Sequence, residues 1–196
     1  MSDKSTKSAK LHRRRPPGER AIILSAWIEE EDMQRFHELR SAFFPNVRSV
    51  ESAHVTLFHH LPGKHRAAVL SGVAEAVARF RHPDIDPHDG AARVDVVSVF
   101  RLSKGVAYKL APAFLQALRA PIRARFADWL KPQDARPWRN PHITIQNKAD
   151  PEEAERLAEH LSARFEPCAI RVLGVQAWRY DYGPWKLLRE FPFTVS

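Results

Sequence analysis

The spacing of apolar residues changes repeatedly along the chain, and each change separates a predicted strand from a predicted helix. Alternating or continuously apolar, β-rich runs predict strands at 20–28, 54–61, 93–102, 106–110, 142–145, 168–180 and 185–193. Apolar residues three or four positions apart predict helices at 29–44, 64–81, 112–130 and 150–165. The chain is therefore predicted to be an α+β protein.

Helix ends are marked by proline, acidic residues and caps. Pro45 ends the first helix, whose inner face is predicted to consist of Met33, Phe36, Leu39, Arg40 and Phe43. Pro121 lies inside the third helix and is expected to kink it. Asp150 and Pro151 make an N-cap and a first helical position. Residues 131–141 are polar and proline-bearing, which predicts a loop.

The order of elements repeats itself. Each half of the chain contains a helix, a strand, a second helix and a hairpin, in that order. The repetition predicts two pseudo-symmetric lobes, each with an antiparallel sheet and helices, on either side of a central cleft. Residues 20–196 would form this single bilobal domain, and residues 1–19 would form a disordered tail.

The two equivalent strands carry the same short motif. His54-Val55-Thr56-Leu57 and His142-Ile143-Thr144-Ile145 both read His-x-Thr-x with aliphatic residues at x. Period-two alternation places the histidine and threonine on one face of the strand and the aliphatic residues in the core. One such motif alone is an ordinary strand pattern, but two equivalent copies predict a cleft with two histidines and two threonines.

These residue types suit attack on a phosphodiester without a metal. Near neutral pH, one imidazole can accept a proton from a nucleophile while the other donates one to a leaving oxygen. The hydroxyls of Thr56 and Thr144 can donate hydrogen bonds to phosphate oxygens without adding charge. We therefore predict His54 and His142 as catalytic residues.

Other residues near the motifs fit a phosphate or a base. Lys148 is a candidate phosphate ligand, with Arg139 a weaker one. Phe58 and Gln146 each follow a motif threonine by two positions, so they point into the cleft if the strands continue. Aromatic candidates for base stacking are Phe58 and Tyr182, together with Tyr180, Trp138 and Trp185. The alternative is that the aromatics pack in the core or hairpin and that Lys148 is a loop lysine.

A metal or nucleotide cofactor is not indicated. No carboxylate or cysteine completes a metal-ligand spacing with the histidines at 54, 59, 60 and 65. Alternation places His54 and His59 on opposite faces of the strand, so His59 and His60 are predicted to be surface residues at its end. The sequence has no P-loop, dinucleotide fingerprint or kinase signature. No cofactor is predicted.

Net charge and cysteine content bear on the partners and the cellular location of the protein. The net charge is +8, and much of the excess lies in the tail, which contains Lys4, Lys7, Lys10, Arg13, Arg14 and Arg15. The tail is either an arm that adds affinity for RNA phosphates or a solvated segment. Cys168 is the single cysteine, so an internal disulfide is impossible. The absence of a long apolar run or a secretory h-region leads us to expect a cytoplasmic protein without a membrane partner.

The two motifs and the wide gap between them resemble the 2H phosphoesterase superfamily, in particular its bacterial 2′-5′ RNA ligase-like, cyclic phosphodiesterase branch. The resemblance implies a bilobal fold and metal-independent chemistry on 2′,3′-cyclic phosphates or 2′-5′ linkages of RNA. By analogy, His54 would protonate the leaving 3′ oxygen and His142 would activate water, although the pseudo-symmetry leaves the opposite assignment open. Some relatives carry an arginine where this chain has Asn147, followed by Lys148.

Three functions remain open at this stage. The first is a phosphodiesterase that opens 2′,3′-cyclic phosphates of RNA or small nucleotides and, in reverse, joins RNA by a 2′-5′ linkage. The second is an RNA-binding module that uses the paired motifs to dock a phosphate without turnover. The third is a hydrolase for a specialised molecule, such as a cyclic phosphate of ADP-ribose or a 2′-5′ oligonucleotide. In each case we expect a monomer.

Overall fold

The structure, a computed structural model, describes residues 16–44, 52–181 and 184–194. Its strands are β1 Ile22–Ile28, β2 Thr56–Leu61, β3 Ala92–Leu102, β4 Gly105–Leu110, β5 His142–Asn147, β6 Cys168–Arg179 and β7 Lys186–Pro192. Its α-helices are α1 Glu30–Phe43, α2 Arg66–Arg79, α3 Pro112–Arg125, α4 Pro132–Ala135 and α5 Pro151–Ser162. Short 3-10 turns occur at Pro17–Glu19, Gly63–His65 and Ala127–Trp129.

All seven strands join in one antiparallel sheet. The strand order is β2-β1-β6-β3-β4-β5, with β7 also paired to β6. The first part of β6 pairs with β3 and its later part pairs with β7, so this long strand belongs to both halves. The predicted α+β class is confirmed. The sheet is continuous because β6 links its two halves, however, whereas the sequence predicted a separate sheet in each lobe.

Helices pack on the sheet through their apolar faces. α1 and α5 lie against β3 to β6, while α2 packs on β6, β7 and α3. Fully buried side chains from both layers, among them Leu24, Phe36, Val73, Leu118 and Ile143, form the core. Each such side chain contributes about 1.5–3 kcal/mol through removal from water. The core therefore fixes the strands from which the functional side chains project.

Several element boundaries differ from the predicted ones. α3 ends at Arg125 and a 3-10 turn takes the place of its predicted last turn. The predicted loop at 131–141 contains the one-turn helix α4, which four residues are too few to reveal by periodicity. α5 begins as predicted, because the Asp150 carboxylate accepts a hydrogen bond from the Glu152 backbone N–H at 2.9 Å.

The predicted tail lies mostly outside the described residues, which begin at 16. Its last part, Pro17–Glu19, is a 3-10 turn, so regular structure starts slightly earlier than predicted. Within the described ranges, no helix has both the length and the apolar content to cross a membrane.

Candidate active site

The two His-x-Thr motifs line one cleft of about 290 Å³. Its walls consist of Arg40, Phe44, His54, Thr56, His59, Leu102, Trp138, His142, Thr144, Asn147 and Trp185. The motif threonines belong to β2 and β5, which are the two ends of the strand order. Because the edge strands share a cleft, the sheet curves strongly around it. The predicted meeting of the four motif residues is thus observed.

Burial along each motif follows the predicted alternation. Val55 and Leu57 are buried beside the half-buried Thr56, and Ile143 and Ile145 are buried beside Thr144. His54 lies just before β2, where the Val55 carbonyl accepts a hydrogen bond from the Ala26 N–H at 2.9 Å and holds the segment to β1. The aliphatic residues therefore anchor the motifs while His and Thr face the cleft.

Both catalytic candidates have the same ring orientation. The Nδ1 of His54 lies 2.7 Å from the Ser52 carbonyl oxygen, and the Nδ1 of His142 lies 2.7 Å from the Asn140 carbonyl oxygen. A carbonyl only accepts, so each Nδ1 carries the hydrogen and Nε2 is the nitrogen left for a substrate. The carbonyl is two residues upstream in both cases, which makes the two half-sites equivalent.

Aromatic rings lie against both imidazoles. His54 packs on Trp185 with ring centroids 4.4 Å apart. His142 and Phe100 are nearly perpendicular, with centroids 5.6 Å apart. The backbone contact at Nδ1 and the neighbouring aromatic ring restrict rotation of each imidazole, which pre-orients Nε2.

The surroundings of His54 set its protonation state. Burial, together with the nearby charges of Arg40, His59 and His142, lowers the pKa of His54 from 6.5 to about 4 against the opposing hydrogen bond to Ser52. His54 is therefore neutral at physiological pH, with an unprotonated Nε2. A group in that state can accept a proton, so the environment favours His54 as a base.

Arg40 is a functional candidate that sequence analysis placed on the inner face of α1 without a role. It is 6% exposed, and its guanidinium donates a hydrogen bond to the Thr144 carbonyl oxygen at 2.8 Å. The same group lies 4.0 Å from the centre of the Phe44 ring. An arginine among apolar residues on a buried helix face was the signal that could have identified it.

A β-bulge follows the threonine of each motif. Leu24 pairs with Phe58 and Ser25 with Thr56, which leaves Leu57 as an extra residue in β2. Val106 pairs with Gln146 and Ala107 with Thr144, which leaves Ile145 extra in β5. An extra residue reverses the side of the strand on which later side chains lie.

The bulges overturn two predictions. Phe58 is fully buried under the Arg119 guanidinium, 4.6 Å from its ring centre, so it cannot offer a stacking face to a base. Gln146 is 1% exposed and donates to Glu153 rather than pointing into the cleft. Period-two reasoning fails for both because it assumes an unbroken strand.

The bulge at Leu57 also brings His59 into the cleft. His59 is exposed, as predicted, but strict alternation placed it on the face opposite His54, and one extra residue returns it to the same side. Its Nδ1 lies 3.0 Å from the Asp134 carboxylate. Asp134 belongs to α4 and is 2% exposed. The structure therefore adds a third histidine to the cleft.

The remaining predicted ligands do not enter the cleft. Lys148 and Arg139 are exposed, and neither belongs to the cleft wall. Lys148 has a positive φ of 61°, which turns the chain away just after Asn147, the residue that lines the cleft in its place. Lys148 is therefore not one of the residues that line the cleft, and among the described residues of the wall it is Arg40 that supplies a permanently charged cation.

The aromatic candidates divide between the cleft and other surroundings. Trp138 and Trp185 line the cleft and are half-buried. Tyr180 is 38% exposed and is not part of the wall. Tyr182 lies outside the described residues. A stacking surface for a base is therefore available from the two tryptophans.

No metal centre is evident from the arrangement of side chains. Among the residues that the structure describes, no group of three or more His, Cys, Asp or Glu stands close enough to hold an ion. The three histidines of the cleft each bind a backbone carbonyl or Asp134 through Nδ1.

Comparison with known proteins gives one family. The family model of the 2′-5′ RNA ligase superfamily matches residues 28–184, a segment that contains both motifs. The comparison with curated proteins gives no match.

Solved structures share the fold. The crystal structure of E. coli LigT complexed with 3′-AMP superposes with a TM-score of 0.58 and 14% identity, over 90% of this chain and 99% of that one. TT0787 of Thermus thermophilus gives a TM-score of 0.58 and 16% identity, over 88% and 97% of the two chains. A structure described as a phosphoesterase gives 0.57 and 17%, over 90% and 99%. At these identities the likeness shows the fold.

Proposed function

The chain belongs to the 2′-5′ RNA ligase superfamily, and from that membership we propose a metal-independent phosphodiesterase that opens 2′,3′-cyclic phosphates of RNA or small nucleotides. The same chemistry in reverse would join RNA ends by a 2′-5′ linkage. One observation carries the proposal: two imidazoles with the same backbone-fixed tautomer line one cleft, each with Nε2 available.

The phosphate would bind between the two half-sites. The hydroxyls of Thr56 and Thr144 face the cleft from both edge strands and would donate to the non-bridging oxygens. The Arg40 guanidinium in the same wall would neutralise the charge that builds up on these oxygens during attack. Partial burial strengthens these contacts because water competes less for the phosphate.

Proton transfer would divide between the two histidines, and the surroundings of His54 make it the base. His54, with a pKa of about 4, is neutral and would take a proton from the attacking water through Nε2. His142 would act in its doubly protonated form, keeping the Nδ1 hydrogen on the Asn140 carbonyl and giving the Nε2 proton to the leaving 3′ oxygen, and the product would be a 2′-phosphate. This assignment reverses the one that the resemblance implied.

Nucleotide recognition would use the tryptophans. Trp138 and Trp185 present ring surface within the cleft, and stacking on a ring is worth about 1–3 kcal/mol per base. E. coli LigT has been crystallised with 3′-AMP and with ATP, which supports a nucleotide ligand for this chain as well.

The test is turnover of a nucleoside 2′,3′-cyclic phosphate in EDTA by the wild type, the His54→Ala/His142→Ala double variant and the control His88→Ala. His88 is exposed and lies outside the cleft. We expect that the wild type and the His88→Ala control open the cyclic phosphate and that the double variant does not. Salt-sensitive RNA binding without turnover, which survives the single change His142→Ala but weakens on deletion of residues 1–15, would instead support the docking module.

The role assignment has its own test. A phosphodiester with a p-nitrophenolate leaving group needs little help from an acid, so His142→Ala should retain much more activity on it than on the cyclic phosphate. His54→Ala should lose activity on both substrates, because water still has to be activated. The opposite pattern would restore the assignment that the resemblance implied.

A further inference from the structure

His59 lines the cleft and pairs with Asp134, which is buried behind it, and the proposed reaction does not use this pair. The buried Asp134 carboxylate accepts hydrogen bonds from the backbone N–H groups of His59 and His60 at 2.9–3.0 Å. It also contacts the Nδ1 of His59 at 3.0 Å. The side chain of His59 remains half exposed. Its other ring nitrogen, Nε2, is therefore the one that a ligand in the cleft can reach.

The contacts of Asp134 to the backbone of β2 can be explained by the fold alone, but its contact to the His59 ring cannot. β2 is an edge strand, so its outward N–H groups need acceptors, and the Asp134 carboxylate is such an acceptor. That role does not require His59 to turn its ring towards the carboxylate. The ring contact selects one orientation of a half-exposed imidazole, as a binding residue requires.

The wall behind this pair is held rigidly. Arg119 is buried in α3 and donates to the Leu57 carbonyl oxygen at 2.9 Å and also to the Asp134 backbone carbonyl. Its guanidinium therefore ties the bulged part of β2 to α4. His59 therefore projects into the cleft from β2, its ring contacts α4 through Asp134, and α3 holds β2 and α4 together.

The chemistry of the pair points to an anion. When protonated, His59 forms an ion pair with Asp134 and presents a second N–H at Nε2. None of the described residues that line the cleft is a carboxylate, and Arg40 lies in the same wall. The scissile phosphate already has two threonines, two histidines and this arginine.

We propose that His59, oriented by Asp134, binds a second phosphate of the substrate, so that the cleft prefers nucleotides with a phosphate besides the one that reacts. The inference rests on the proposed function for the location of the reacting phosphate. The second phosphate is either a terminal phosphate or an internucleotide phosphodiester.

The experiment compares binding of product analogues, so it can be read without turnover. Isothermal titration calorimetry would measure adenosine 2′-monophosphate, adenosine 2′,5′-bisphosphate and the dinucleotide UpA with a 2′-phosphate. The proteins are wild type, His59→Asn, His59→Gln and the control His60→Asn, whose side chain lies outside the cleft. Asn can keep the contact to Asp134 but lacks Nε2, while Gln places an uncharged donor near the Nε2 position.

A charge-assisted contact predicts that wild type binds a two-phosphate ligand roughly 10- to 100-fold tighter than the monophosphate. His59→Asn should remove this preference, His59→Gln should restore part of it, and His60→Asn should keep it. Preference for the bisphosphate alone identifies a terminal phosphate, and preference for the dinucleotide identifies an RNA chain.

An equal ratio in wild type and His59→Asn would overturn the inference, as would a wild-type ratio near one. Loss of cyclic phosphate turnover in His59→Asn with an unchanged binding ratio would also overturn it, because His59 would then act in the chemistry. If wild type shows the preference but opens no cyclic phosphate, the proposed function fails while the second phosphate site stands. Urea unfolding of each variant controls for misfolding.

Discussion

The lowered pKa of His54 gives a prediction that depends on its surroundings. Burial is the main cause, and Trp185 covers the ring at 4.4 Å. With a pKa of about 4, about 99% of His54 is neutral at pH 6, against about a quarter at the ordinary value of 6.5. Trp185→Ala admits water to the ring and should raise the pKa of His54 by at least about one unit.

The assay is an NMR titration of His54 together with the pH dependence of kcat/KM. In the wild type, the rising limb of kcat/KM should lie near pH 4, since the base must be neutral. In Trp185→Ala the limb should move towards 6.5, while Trp138→Ala, which changes the other cleft tryptophan, should leave it in place. A wild-type His54 that titrates near 6.5 would refute the reasoning, as would a limb that does not move in Trp185→Ala.

The same pKa affects folding. The unfolded chain takes up a proton at His54 below about pH 6.5, whereas the folded protein does so only near pH 4. The unfolded state therefore gains protons first, and the free energy of unfolding should fall by up to about 3 kcal/mol between pH 6.5 and 4. Asp134 and Asp181, whose pKa values are lowered in the fold, lose stability at low pH in both proteins, so urea unfolding should show a larger loss in the wild type than in His54→Ala by up to this amount.

Three further variants test other parts of the account. Arg40→Gln should lower kcat/KM on a cyclic phosphate by roughly 100- to 1000-fold, because it removes charge stabilisation in the cleft, and a tenfold loss or less would contradict that role. Asp134→Ala should reduce the free energy of unfolding by about 2–3 kcal/mol in urea, because two partly buried N–H groups lose their acceptor. A Cβ at Gly105 would collide with the Gln146 carbonyl, so Gly105→Ala should cost about 2–4 kcal/mol in urea unfolding, whereas Gly18→Ala, with open space, should cost little. Similar stabilities for these two glycine variants would show that β4 and β5 can separate without penalty.

Features with a strong local pattern were predictable from the sequence. Alternation placed Val55 and Leu57 in the core, and the same reasoning held for Ile143 and Ile145. The Asp150 cap marked the start of α5 correctly. These features depend on residues close together in sequence, so a periodicity or a cap is sufficient to detect them.

Features that depend on pairing between distant segments were not predictable. The bulges at Leu57 and Ile145 exist only relative to β1 and β4, and they decide where Phe58, Gln146 and His59 lie. The continuity of the sheet likewise depends on β6 pairing with both halves. A single sequence contains no local signal for such pairing.

The site also depended on residues outside the motifs. Arg40 was predicted on the inner face of α1, but its proximity to Thr144 results from the packing of α1 on β5. Asp134 lies in a one-turn helix that periodicity could not detect, and its partner His59 was predicted on the wrong face. The motifs thus located the cleft, while tertiary packing determined the rest of its wall.

The central claim is that His54 and His142 together open a cyclic phosphate without a metal. The most direct measurement is phosphorus NMR of a nucleoside 2′,3′-cyclic phosphate incubated in EDTA with wild type and with His54→Ala/His142→Ala. We predict that the cyclic signal converts to a 2′-phosphate with wild type and persists with the double variant. A cyclic signal that persists with wild type, or converts equally with the double variant, would contradict the claim.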